Sequence, residues 1–416
     1  MPNLNRILFL IMPLFIYGDS LRELIEIAES KNDLVIAKQL TQESKAKELD
    51  SKNSAYFPTL DLGGFYKRDD DASPFQPGST YSGYAKLSYD IYDGGKRSAR
   101  VDKSKQILLA SELDTKAFKE SLALQITQDF FTIKSLEASL KAKEEAQTTL
   151  KEQLIKIERF VKAKMATSDD LDRVQADFDT NTYQMESIKF QILSSKSSIS
   201  LKVGKNIHTL DDSSFSKMRA EHLEKLDANK ALIAQQRSIE YEAESIDSFY
   251  YPHIKIEDTY SIYGYDEKPN LGAIPITFLE NQNTLMLTLN FRVFDYGAIS
   301  DSKETVLLAS KALSSQIAFQ TKEQEMQFIL ASSRIQTAKV KILSSKSALN
   351  AATNAFETIE KKYNAGIVDY IIYLDSLSKK TSSKALYESG LNELEIAYAI
   401  YYYYSGKNIK GELQCK

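Results

Sequence analysis

Any chemistry in this chain must come from its ionisable side chains, and their arrangement suits electrostatics better than catalysis. Carboxylates are abundant, and one tight cluster follows a break in a helical pattern: Asp169, Asp170 and Asp172 in KMATSDDLD, Lys164 to Asp172. Carboxylates there suit the positive end of a helix dipole, and Thr167 or Ser168 can cap the same helix. A general acid or base needs a partner that positions and tunes it. His208, His222 and His253 stand far apart, and none is grouped with a cysteine. No metal-ligand spacing and no nucleophile motif appears. Most other carboxylates fall on helical stretches with lysines one turn away, where they form solvated faces. The sequence therefore reads as non-enzymatic, with no cofactor and no metal site.

The elements that position these residues are long. From Arg97 to about Val161 there is neither proline nor glycine. Apolar residues recur there at Leu122, Ile126, Phe130, Ile133, Leu136 and Leu140, spaced by three and four. A helix over 97–161 is roughly 95–100 Å long at 1.5 Å per residue. A return helix over 168–203 follows the break, with Leu171, Val174, Phe178, Met185, Ile188 and Ile192 forming a heptad seam. The second half repeats this plan with a long helix over 300–364, a break at Ala365-Gly366, and a return helix over 367–404. A shorter helix opens each half, Ser20 to Ala55 and Glu221 to Phe249.

Four segments alternate with period two, as strands with one apolar and one polar face do. They cover about 59–66, 81–92, 253–263 and 284–294. The fourth is the clearest: Leu285, Leu287, Leu289, Phe291 and Val293 alternate with Thr284, Thr288, Asn290 and Arg292. About ten residues is the length of a transmembrane β-strand.

The halves are copies. VGKNI (Val203 to Ile207) returns as SGKNI (Ser405 to Ile409), an offset of 202 residues from Gly204 to Gly406. The same offset carries Asp93 onto Asp295, Gly95 onto Gly297 and Ala163 onto Ala365. Upstream, YFP (Tyr56 to Pro58) resembles YYP (Tyr250 to Pro252). The expected organisation is residues 1–18 as an export signal, 19–205 as repeat 1, 206–219 as a polar linker, 220–409 as repeat 2 and 410–416 as a tail. The signal reading rests on Arg6, the apolar run Ile7 to Tyr17 and the small Gly18. One cysteine, Cys415, leaves no internal disulfide, and a formal net charge of −4 without a basic block argues against nucleic acid as a partner.

Four strands cannot close a barrel, and open sheet edges are not tolerated in lipid. If the strands enter a membrane, several chains must share one barrel: two chains give a filled interior and three give a lumen. The duplicated plan resembles the TolC-like outer-membrane efflux proteins. The residues that carry this are YFP and YYP before the strands, the strand-to-helix turn YDGG (Tyr92 to Gly95), and the turn KYNAGIVDYIIYLDSL (Lys362 to Leu377). The resemblance implies an α+β membrane protein: a homotrimer with a twelve-stranded β-barrel, four strands from each chain, joined to a long α-helical coiled-coil tunnel in the periplasm. It implies a passive exit duct for small molecules in the outer membrane. A periplasmic adaptor (membrane fusion) protein and an inner-membrane pump of RND or ABC type would dock onto it. Type I protein secretion is the alternative function, and an exported coiled-coil scaffold without a pore is the rival of a different class.

The family closes its tunnel at the helix turns. Tyr363 stands where the family's gating tyrosine does, and Asp375 matches the outer of two family aspartates. The inner aspartate is replaced by Ile372, and Val368 stands at a basic position, so Asp369 is a candidate substitute and Ile371 and Ile372 suggest apolar closure. Asp169, Asp170 and Asp172 lie at the corresponding first turn. The family's small-glycine-apolar adaptor contact is matched by Ala365, Gly366 and Ile367, and less well by Lys164, Met165 and Ala166. The apolar strand residues Leu285, Leu287, Leu289, Phe291 and Val293 would face lipid.

Overall fold

Proline and glycine stop some of this chain's elements, and side-chain caps stop others. The computed structural model describes residues 19–70, 76–216, 223–268 and 277–414. The expected export signal (1–18), His222, Cys415 and parts of two strand-connecting loops lie outside the described residues. Where neither breaker occurs, α-helices run on: α3 (Lys96–Lys162) and α6 (Ala298–Asn364) hold 67 residues each, about 100 Å. Each is followed by a return helix, α4 (Ser168–Val203) and α7 (Tyr370–Tyr404).

The opening helix expected over Ser20 to Ala55 is instead two, α1 (Leu21–Lys31) and α2 (Asp33–Ser54). Asn32 makes the break. Its side-chain oxygen accepts from the backbone N–H groups of Leu34 (2.9 Å) and Val35 (3.1 Å), which caps α2. Its amide also donates to the carbonyl of Lys202 at 2.8 Å. The helix expected from Glu221 begins later, as α5 (Asp227–Asp247).

The chain divides into two units. One comprises Gln39–Asp114 and Ala228–Gln320. It holds the strands β1 (Thr59–Arg68), β2 (Ser79–Tyr92), β4 (His253–Asp266) and β5 (Asn281–Asn290), one antiparallel sheet in the order β1-β2-β4-β5. Register aligns the period-two faces across all four strands. Leu60, Leu87, Asp258 and Leu285 form one row, and Tyr89, Ile256 and Leu287 the next on the same face. Asp61, Lys86, Thr259 and Thr284 form a row on the opposite face. On that polar face Glu257 bridges Lys86 (2.7 Å) and Lys255 (2.8 Å). Asp258 breaks the pattern: it is the acidic residue within the apolar rows, and one carboxylate oxygen is buried without a partner.

The fourth strand ends earlier than the alternation suggested, so Phe291 and Val293 lie beyond it. Asn290 pairs with His253, and the residue before His253 is Pro252, whose missing N–H cannot extend the ladder. Both helix-bound strands then turn in the same way. Asp93 accepts from the backbone N–H of Gly95 (3.2 Å) and Arg97 (2.8 Å). Asp295 accepts from those of Gly297 (3.1 Å) and Ile299 (2.9 Å). Gly95 and Gly297 have φ of 86° and 90°, the left-handed region that glycine reaches at least cost.

The other unit comprises Met1–Lys38, Thr115–Asp227 and Thr321–Lys416. Its core joins Leu21, Leu24 and Ile25 of α1 to Ile126, Phe130 and Ile133 of α3, and to Tyr401 and Tyr402 of α7. The segment expected as a linker packs here too. Ser214–Phe215 (β3) pair with Leu413–Gln414 (β6), drawing the expected tail into the fold. The repeated GKNI phrase also finds its reason here. Gly204 and Gly406 end the return helices at φ of 73° and 80°. A Cβ at Gly406 would lie 2.6 Å from the carbonyl oxygen of Glu224, so no larger residue fits.

Replacing Asp93 or Asp295 with alanine should each destabilise the protein by about 1 kcal/mol through the lost cap. Denaturant unfolding of the two single variants and the double variant checks this, and near-additive losses are expected.

Candidate functional site

The two helix turns share one backbone design. Lys164 N–H donates to Val161 O (2.9 Å) and Met165 N–H to Phe160 O (2.8 Å). Gly366 N–H donates to Tyr363 O (3.0 Å) and Ile367 N–H to Lys362 O (2.9 Å), the same pair of bonds. These are the bonds of a Schellman motif, in which the residue after the helix turns left-handed. Gly366 does so at φ 74°, and Lys164 follows at φ 59° despite its side chain. KMA, which lacks the glycine, thus adopts the same turn as AGI, at a steric cost of roughly 1–2 kcal/mol. Both turns present an apolar side chain at the tip: Met165 is 73% exposed and Ile367 70%.

The carboxylates after each turn have local partners. Thr167 caps α4, accepting from the Asp170 N–H at 3.2 Å, and Asp170 accepts in return from the Thr167 N–H (3.2 Å) and hydroxyl (2.7 Å). This capping box holds the Asp170 carboxyl below the usual carboxylate range, chiefly through the Thr167 hydroxyl. Asp169 pairs with Arg173 at 3.1 Å, and Asp375 with Lys379 at 2.7 Å. Asp369 caps α7 by accepting from the Ile372 N–H at 3.1 Å, so that helix starts at Tyr370, later than residue 367. Asp172 is exposed. All five carboxylates therefore lie within two turns of a helix start, and Ile371 and Ile372 are exposed beside them.

Tyr363 is half-buried in its own chain. Its ring stacks on Tyr373 at 4.8 Å between centroids, with Tyr370 at 5.9 Å. The Lys156 ammonium stands 4.4 Å from the Tyr363 centroid. Burial is the main reason the Tyr373 hydroxyl is pushed up to about 12, and it raises Tyr370 further. The Tyr370 hydroxyl oxygen is buried without a hydrogen-bond partner. Tyr370 lines a cavity of about 540 Å³ with Arg173, Asp177, Asp375, Leu374 and Leu377. Sequence reasoning missed Tyr370, Tyr373, Lys156 and Asp177. The tyrosine spacing of seven and three around the turn was the available signal for the aromatic cluster.

Lys164→Gly should stabilise the first turn by about 1 kcal/mol, and Gly366→Ala should weaken the second by a similar amount. Hydrogen exchange of the tip amides checks both changes. The Asp170 cap should be fully present above the ordinary carboxylate range and lost as pH falls through its lowered value. Exchange at the start of α4 should accelerate only in strong acid, and Asp170→Asn should remove that acid-specific step.

Residues 24–200 match the family model described as outer membrane efflux protein. No curated protein matches the sequence. Among solved structures, a membrane protein from Pseudomonas aeruginosa superposes with TM-score 0.81 at 14% identity, covering 93% of each chain. The Campylobacter jejuni CmeC outer membrane channel gives 0.80 at 14% identity, covering 95% of this chain and 87% of its own. The outer membrane protein VceC of Vibrio cholerae gives 0.79 at 12% identity, covering 94% and 96%. Proteins of the matched family are outer-membrane channels and not enzymes. Over residues 24–200 the sequence matches the outer membrane efflux protein family, and over nearly its whole length the fold is that of these outer-membrane channels.

Proposed function

We propose that three copies of this chain close a twelve-stranded barrel in the outer membrane and form the exit duct of a tripartite pump for small molecules. A periplasmic adaptor and an inner-membrane pump of RND or ABC type supply its energy and specificity. The observation that carries this reading is the four-stranded sheet. Among the described residues its outer strands, β1 and β5, pair on one side only. In lipid each unpaired backbone group costs several kcal/mol, so the two edges must meet partners, and other copies of the chain offer matching ones.

Aromatic residues at the sheet's ends support the same reading. Tyr66, Tyr81, Tyr263 and Tyr265 stand at one end, as in the girdles of membrane barrels. Apolar seams support the helical contacts of a trimer. Tyr183, Phe190, Leu193 and Leu201 of α4 are 64–82% exposed, and Ile329, Val340 and Leu343 of α6 are 65–69% exposed. Such stripes are expected to be covered by neighbouring helices. Leu285, Leu287 and Leu289 would then face lipid, and the 67–80 and 266–282 connections would be extracellular.

At the periplasmic mouth, three copies of Asp169, Asp170, Asp172, Asp369 and Asp375 would concentrate negative charge around one axis. Tyr363, Ile371 and Ile372 would narrow the opening. The exposed Ala365-Gly366-Ile367 and Lys164-Met165-Ala166 turns would meet the adaptor.

The chain should migrate as a detergent-requiring, heat-modifiable trimer; a soluble monomer would favour a scaffold without a pore. Leu287→Arg should cost about 2–4 kcal/mol of barrel stability if the site lies near mid-bilayer, and Thr288→Arg much less. The opposite ranking in vesicle insertion would mean that the polar face meets lipid. Single-channel recording checks the mouth. The Asp369→Ala/Asp375→Ala variant should lose cation preference and block by periplasmic-side multivalent cations. Tyr363→Ala should instead raise conductance with little change in selectivity.

A further inference from the structure

At the end of the sheet where the helices attach, the structure holds a basic niche that the duct reading does not use. It lies where α2 runs toward β1, where β2 gives way to α3, and where α5 leads to β4. Its volume is about 440 Å³, and its walls include Lys52, Lys96, Arg100, Lys103, Glu242 and Phe249. Two pairs are already made there: Lys103 bonds Glu242 at 2.9 Å, and Glu48, also in the wall, is taken by Lys45 at 3.0 Å. Among the described residues, no carboxylate forms a salt bridge with Lys52, Lys96 or Arg100. Lys96 is driven below the usual ammonium range, first by burial and then by Arg100, although Asp93 and Asp90 oppose this. The niche is therefore short of negative charge.

Its surroundings indicate where that charge comes from. Tyr56, Phe57, Tyr250, Tyr251, Phe294 and Tyr296 all belong to this end of the sheet and are all exposed, Tyr296 to 90%. Cations interleave with this aromatic layer. Lys96 lies 4.7 Å and Arg292 5.9 Å from the Phe249 ring, and Arg97 lies 5.1 Å from the Tyr56 ring. Aromatic rings with interposed cations mark the headgroup level of a bilayer. Basic pockets between helices at that level recognise anionic lipid headgroups.

We propose that this niche binds the phosphate of an anionic phospholipid headgroup from the periplasmic leaflet of the outer membrane, with Lys52, Lys96 and Arg100 as its ligands. The inference rests on the reading that the sheet spans the outer membrane. Arg100 offers a planar fork for two phosphate oxygens, while the two ammonium groups act as point charges. The acyl chains would lie along the apolar face of the sheet, beyond the aromatic layer.

The test uses the full-length trimer in detergent, titrated with short-chain phosphatidylglycerol and followed by native mass spectrometry. The wild type should retain this lipid. The Lys52→Gln/Lys96→Gln/Arg100→Gln variant should bind it at least tenfold more weakly. Lys103→Gln, in the same niche but already paired, should stay within twofold of the wild type and so controls for loss of fold. Equal binding by the triple variant, or an equal loss in Lys103→Gln, overturns the proposal. Inorganic phosphate should compete weakly; binding as tight as the lipid's would reassign the niche to free phosphate and overturn the lipid as its occupant. Insertion into phosphatidylethanolamine/phosphatidylglycerol vesicles is scored separately by protease protection of the strands. A chain that fails to insert sinks the duct reading, whereas one that inserts yet retains no lipid sinks only this inference.

Discussion

The constraint on which the rest depends is that a backbone N–H or C=O in hydrocarbon must have a partner. Among the described residues the larger sheet has four strands, and β1 and β5 pair on one side only. A soluble protein could blunt such edges with charge or proline. Here the apolar rows run through to β5, where Leu285, Leu287 and Leu289 are well exposed. In lipid both edges call for partners, and the exposed stripes on α4 and α6 ask the same of the helices. On the reading proposed above, oligomerisation is a condition of this fold more than an addition to it.

A second theme is that matched backbone is held by unmatched chemistry. The strand-to-helix turns at Asp93 and Asp295 share their aspartate, a left-handed glycine and the same bonds. The helix turns share their bonds but not their residues: one has glycine in the left-handed position and the other has Lys164. Backbone geometry there is maintained by hydrogen bonds and the packing around Val174, Tyr370 and Tyr373, so the side chain can drift while the turn persists. The drift carries a local steric cost, which an exposed turn can bear because few contacts depend on it.

Much of this was legible in the sequence because the periodicities are long and the breakers few. A long run free of glycine and proline, with apolar residues spaced by three and four, announces a helix, and the alternation in LMLTLN (Leu285 to Asn290) announces a strand. What escaped was set by distant partners. The end of β5 depends on Pro252 across the ladder, so local alternation through Val293 overshot. The break at Asn32 depends on one side chain serving as a cap, which a polar residue in a helical run does not reveal. At the helix turns, the candidate carboxylates and Tyr363 could be named from the sequence. The tyrosine cluster could not, because stacking across two helices is decided by the turn's geometry.

The pairing of β3 with β6 also orders events in time. Ser214 and Phe215 find their partners in Leu413 and Gln414, about two hundred residues later and almost the last of the described chain. Closing so long a loop is costly in entropy and slow to occur by chance. That corner of the core, where the Tyr402 hydroxyl donates to the Ser216 carbonyl, therefore closes late in folding. A chain cut before Leu413 lacks this clasp and leaves that corner of the core open to proteolysis.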